Sequence, residues 1–201
     1  MVKRVFIVPG WNETPNDAWI PWLVKEAGKS GIHAMAVFMP NPNEPYIDSW
    51  VYHLNSIITS PDSETFFVGH SMGCQAILRY MEQLDHNVKV GGVIMVAPWV
   101  HLNQAAFDNE NDIEVARPWL ETPIEWDVVK KHTENFEAIF SDNDPYVPIA
   151  DYKIFREKLN ANTVVENRKG HYDSHSNTLK LPRVLLTLLK MAGVDGSPVK
   201  S

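Results

Sequence analysis

A chain of 201 residues with 44% hydrophobic, 21% charged and 10% aromatic side chains is long enough to bury one substantial core, a balance that excludes disordered and collagen-like classes. Twenty-five acidic against eighteen basic residues give a formal charge of −7 with no dense Lys/Arg run; a nucleic-acid partner is not expected, because phosphate contacts supply most non-specific affinity. No eighteen apolar residues run together, which excludes an apolar helical membrane span, and the single Cys74 excludes an internal disulfide.

The amino end, MVKRVFIVPGW, sets only four apolar residues between its two bases and Pro9-Gly10, too short a run for a secretory segment. With the lone cysteine, this predicts a cytoplasmic protein. Residues 5–8 form a β-branched run closed by Pro9-Gly10, the pattern of a buried strand ending in a turn. Residues 18–29 carry apolar side chains at helical spacing, with Gly31 as a stop signal, and 33–39 read as a second strand. After "PNPNEP", Ile47, Val51, Leu54 and Ile58 put one apolar stripe on a helix over 47–58.

The alternation continues with strand 65–68, helix 72–84, strand 90–96, strand 136–140, helix 150–159, strand 163–166 and helix 179–191. Strands that read as continuous apolar runs between helices predict an α/β fold, a mostly parallel sheet with helices on both faces. The domain is expected over 1–192, with 193–201 a frayed tail. Residues 99–134 break the rhythm: they hold three of the seven tryptophans, and from Asp108 to Asp127 seven carboxylates face a single base, Arg117. Interruptions of this length in compact domains are commonly lids or binding loops, so a small lid-like insertion over the strand ends is expected.

The stretch FFVGHSMGCQAILRY, residues 66–80, carries the chemistry. An apolar strand breaks at Gly69, presents Ser71 between two glycines, and turns into a helix-forming run. A G-x-S-x-G turn between strand and helix sets its serine on a tight corner, with glycines where side chains would collide with backbone. In open parallel sheets that corner lies beyond the carboxyl ends of the strands, where ligands bind. The Met72 amide at the helix start lacks an intrahelical partner and can donate to an oxyanion; Trp11, in the loop after the first strand, is the natural second donor.

A serine hydroxyl is a weak nucleophile and needs a base, which in turn needs an acid to hold its tautomer. On an α/β-hydrolase the chain order is Ser, then Asp or Glu, then His. "IFSDNDPYVP" follows a predicted strand and offers Asp144, with Asp142 as competitor; "NRKGHYDSH" follows the last strand and offers His171. The H-Y-D-S-H run, with Asp173 and His175, can also be read as metal ligands, but recognised spacing with further Cys or His is lacking. His70 adjoins Ser71 with its side chain directed away, which favours packing or hydrogen bonding over catalysis. Cys74 reads as a small buried helix residue.

With "VPGW", "MPNP", "GHSMGC", "SDNDPYVP" and "KGH" spread over nearly its whole length, the chain resembles the YdeN-like small α/β-hydrolases, related to the retinoblastoma-binding serine hydrolase of animals. The resemblance implies a compact single-domain hydrolase core, with Ser71, Asp144 and His171 as triad. The animal relative's pocket-protein segment, L-x-C-x-E, has no counterpart here, since Cys74 is followed by Gln75 and Ala76. The expected activity is cleavage of a small ester, thioester or amide through an acyl-enzyme, on a small-molecule acyl substrate and without cofactor or metal. A binding protein on a hydrolase fold and a metal-dependent hydrolase are the competing readings. Trp99 and His101, with Trp11, are expected to line the cleft, and the acidic insertion to disfavour anionic substrates.

Overall fold

The computed structural model describes residues 2–194; of the predicted tail, 195–201 lie outside the described residues. Six strands, β1 (Arg4–Val8), β2 (His33–Ala36), β3 (Thr65–His70), β4 (Gly92–Val96), β5 (Phe136–Ser141) and β6 (Asn162–Glu166), form one sheet in the order β2-β1-β3-β4-β5-β6, every pair parallel. The helices are α1 (Ile20–Lys29), α2 (Ile47–Ile57), α3 (Met72–Glu82), α4 (Glu110–Glu121), α5 (Trp126–Val129), α6 (Tyr152–Leu159) and α7 (Pro182–Met191). Contacts separate them into two layers: α1 meets α7, while α2, α3, α5 and α6 touch in series.

The central strands are apolar because both faces are covered: every residue of β3, β4 and β5 is buried, whereas edge strands β2 and β6 are partly exposed. β2 ends at Ala36, short of the predicted 33–39, because its neighbour β1 ends at Val8 and Pro9 has no N–H to continue a ladder. The first helix begins at Ile20, not 18, since Ala18 has φ +47°, outside helical space. The last begins at Pro182, not 179, where a pyrrolidine ring pre-sets the first turn. The predicted helix 150–159 is a 3-10 turn, Ile149–Asp151, running into α6.

The interruption at 99–134 is ordered into a 3-10 turn (Gln104–Ala106), α4 and α5. The start of α4 is a reciprocal cap: the Asn109 side chain accepts from the Asp112 N–H, and Asp112 accepts from the Asn109 N–H. Trp119 of α4 packs edge-on against Trp50 of α2 at 5.7 Å and donates its Nε1–H to Pro45 O at 2.8 Å. Burying a ring of this size is worth roughly 4–6 kcal/mol of gross hydrophobic free energy. Arg79 of α3 fastens the other side, donating to the carbonyls of Trp119, Thr122 and Pro123 with its guanidinium 5.9 Å over the Trp119 ring.

The strand order reverses direction at β1 and β3: the chain leaves β1 toward β2 on one side and leaves β3 toward β4 on the other. A crevice therefore opens beyond the carboxyl ends of these two strands, the position at which open α/β sheets bind ligands.

Candidate active site

Ser71 sits at the β3–α3 corner with φ +50° and ψ −118°, a conformation that costs a non-glycine residue about 1–3 kcal/mol. The surroundings force it. Ser71 N–H donates to Val96 O at 2.8 Å, and its carbonyl accepts from Cys74 N–H at 3.0 Å. A Cβ on Gly69 would lie 2.7 Å from Cys74 Cα, and one on Gly73 would collide with the carbonyls of Val8 and Pro9. The two glycines thus let the helix start press against β1 and thrust the serine outward. Cys74, three residues on, is fully buried, and burial pushes its thiol pKa well up, so it is no competing nucleophile.

The loop after β1 reaches the same crevice. It is pinned at several points: Gly10 N–H donates to Glu13 Oε2 (2.7 Å), Asn12 N–H to Pro42 O (2.9 Å) and Trp11 Nε1–H to Asn43 O (2.9 Å). The backbone N–H groups of Trp11 and Met72 have no acceptor among the described residues. Both residues line the crevice beside Ser71.

Asp144 lies in the loop after β5 with its side chain only 3% exposed. Its Oδ1 accepts from the N–H groups of Tyr146 (2.9 Å) and Val147 (3.1 Å), and its Oδ2 accepts from His171 Nδ1 at 2.8 Å. A proton on Nδ1 leaves Nε2 as a lone pair, the state a general base requires. Asp142, the competitor, is exposed and accepts instead from Arg168 N–H at 2.7 Å. Its work is to tie down the loop that carries His171. Asn143 Oδ1 does the same with Gly170 N–H at 2.9 Å.

Ser71, His171, Trp11, Met72, Trp99 and Tyr146 line one cavity of about 320 Å³. Ser71 Oγ makes no hydrogen bond among the described residues, so the serine and the imidazole share the cavity without the contact that proton transfer needs; such contacts are often long in ligand-free enzymes. Glu13, Asp17, Asp108, Asp112 and Asp173 also face this space, and among the described residues no Lys or Arg does. His175, read above as a possible metal ligand, is 90% exposed, and Asp173 turns to Ser176, accepting from its N–H and Oγ–H at 2.7 Å each.

His101 is not brought to the cavity. Buried Asp151 accepts from the N–H groups of Val100 and His101 and from His101 Nδ1 at 2.7 Å, which draws the ring over the 3-10 turn before α6. There it borders a separate depression with Gln75, Trp119 and Trp126. Trp99, two residues earlier, does face the cavity while 99% buried (1% exposed).

Glu13 was not visible from sequence. Its Oε2 lies 2.6 Å from His70 Nδ1, and His70 Nε2 lies 2.8 Å from the carbonyl oxygen of His171. Burial works against a charge on His70, but the Glu13 carboxylate, the His171 carbonyl and Asp173 together outweigh it and hold the imidazole pKa above its ordinary value. Glu13 is the mirror case: burial would raise it, yet His70 and the Gly10 N–H keep it below the usual carboxylate range.

A parallel sheet with a strained serine at its switch point and a paired carboxylate and imidazole on the loops beyond defines an α/β-hydrolase. The chain belongs to the serine hydrolase family, whose model matches residues 5–190. It is 28% identical to YdeN of Bacillus subtilis (strain 168) over 194 residues, covering 92% of this chain and 93% of that protein. It is 24% identical to the serine hydrolase RBBP9 of Rattus norvegicus over 192 residues, covering 94% and 97%. The crystal structure of the B. subtilis ydeN gene product superposes with a TM-score of 0.86 at 25% identity, covering 95% of this chain and 99% of that one. Among the described residues no helix is long and apolar enough to cross a membrane.

Proposed function

We propose that the protein cleaves a small carboxylic ester, thioester or amide through an acyl-enzyme. His171 Nε2 takes the proton of Ser71 Oγ as that oxygen bonds to the acyl carbon. The carbonyl π electrons move to the oxygen, which is met by the Met72 and Trp11 amides. Collapse breaks the bond to the leaving group, which departs with the proton from His171; a water then repeats the sequence, releasing the acid and restoring the serine. Asp144 keeps the proton on Nδ1 and steadies the imidazolium. The observation that carries this reading is the 2.8 Å contact between Asp144 and His171 Nδ1 on loops that face the Ser71 corner.

Labelling with a fluorophosphonate probe tests it. Wild type should be labelled and Ser71→Ala should not, with hydrolysis of p-nitrophenyl acetate falling by about 10⁴-fold or more in the variant. Labelling of neither protein would favour a binding protein on a hydrolase fold. Labelling that persists in Ser71→Ala would move the nucleophile elsewhere.

The size and charge of the cavity support a short, uncharged or cationic acyl group. At about 320 Å³ it is at the small end of ligand pockets. We read residues 99–134 as a lid, since Ala105, Ala106, Asp108 and Asp112 line the cavity. p-Nitrophenyl acetate and butyrate should be turned over faster than dodecanoate. An ester with an anionic acyl group should show kcat/KM about tenfold below its neutral isostere, a gap that narrows as salt is added. Preference for the long chain, or a gap indifferent to salt, would contradict this.

A further inference from the structure

We propose that Glu13 and His70 form a positioning pair that locks the loop carrying His171 and the loop carrying the Trp11 amide onto the Ser71 corner; the proposal rests on the reading of Ser71, Asp144 and His171 given above.

His70 is the last residue of β3, immediately before Ser71, and is 1% exposed. Its Nε2 faces a backbone carbonyl, which has no proton to give. Whichever partner holds the proton between Nδ1 and Glu13, Nε2 must therefore donate to His171 O. At the far end, the Glu13 oxygen that meets His70 Nδ1 also accepts from Gly10 N–H, so the same carboxylate reaches the residue preceding Trp11. One side-chain pair thus ties together loops that begin after β1, β3 and β6.

The remaining bonds of His171 make the purpose legible. Its N–H donates to Ser176 Oγ at 3.0 Å, its carbonyl accepts from His70, its Nδ1 donates to Asp144, and the Tyr146 ring packs edge-on against its own at 4.9 Å. Only Nε2 is left without a partner among the described residues, and it is the atom that must meet the serine proton. Asp173, the other carboxylate near both imidazoles, is committed to Ser176. Two buried charges contribute no more stability than a well-packed apolar pair of the same volume would. What an apolar pair cannot supply is a directed donor to one particular carbonyl.

The test is steady-state hydrolysis of p-nitrophenyl acetate by wild type, His70→Leu, His70→Gln, Glu13→Gln/His70→Leu and Ser71→Ala, with melting curves to show that each is folded. His70→Leu should lower kcat on the order of 10²-fold, the scale of a displaced catalytic group, with KM within about twofold of wild type. The double variant removes the carboxylate charge along with the ring, so no unpaired charge is left buried, and it should show the same kcat loss. Glutamine carries an N–H as far along its side chain as Nε2, so His70→Gln should recover to within about tenfold of wild type. Wild-type kcat in the leucine variants, or a glutamine variant no better than leucine, would overturn the pair's role. Undiminished hydrolysis by Ser71→Ala would instead overturn the reading of the site.

Discussion

Asp144→Asn is expected to lower kcat by about 10⁴-fold while leaving the protein folded. The asparagine Oδ1 can still accept from Tyr146 and Val147 N–H, as the aspartate Oδ1 does at 2.9 and 3.1 Å, so the loop keeps its shape. The amide then turns an NH₂ donor toward His171 Nδ1, which must become the acceptor. Nε2 is left protonated and cannot take a proton from the serine. Asp142→Asn is the control, because its Oδ1 only holds Arg168 N–H at 2.7 Å and an amide oxygen can do the same; it should stay within about tenfold of wild type. p-Nitrophenyl acetate kinetics with a melting curve for each variant check both. Equal damage from the two, or a weak effect at Asp144, would refute the assignment of the orienting acid.

Gly73→Ala should destabilise the fold by about 2–3 kcal/mol and remove most activity, although the glycine has no side chain to lose. The added Cβ would sit 2.5 Å from Pro9 O and closer still to Val8 O. Those atoms are backbone, and they cannot retreat without moving the end of β1 and the loop that presents the Trp11 amide. Gly28→Ala is the matched opposite: a Cβ there meets nothing within 4 Å, and it lies inside α1. That change should stabilise by about 0.5–1 kcal/mol. Urea denaturation of the two variants measures the contrast, and similar midpoints would refute it.

The sheet was legible because β3, β4 and β5 are buried on both faces and so spell their strands as unbroken apolar runs. Boundaries slipped where a single backbone constraint intervenes: Pro9 shortening the β1–β2 ladder, Ala18 at positive φ, Pro182 fixing a first turn. α4 was hidden because only Ala116 and Trp119 of its twelve residues are buried, leaving almost no apolar period to read. Its Asn109–Asp112 cap was the available signal. The tight corner at Ser71 was readable, since Gly69 and Gly73, two positions to either side, must lack side chains for steric reasons. The choice of Asp144 over Asp142 was not fixed, because it depends on which carboxylate turns inward from one short loop. Glu13 carried no signal at all: its partner is 57 residues away, and only the return of the β1 loop onto β3 brings them together. Trp99 and His101 differ by two positions yet face different hollows, because Asp151, from a later loop, captures the imidazole.

The strand order also bears on how the polypeptide matures as it is synthesised. From β3 onward each new strand lies against its immediate predecessor, β4 on β3, β5 on β4, β6 on β5, so the sheet can lengthen in one direction as the chain emerges. Every unfinished intermediate then ends in a bare, apolar, parallel edge, the kind of surface that invites aggregation. The histidine arrives after the final strand. The nascent chain therefore carries its greatest risk of sticking before the proposed site is complete, and one late segment ends the first condition and begins the second.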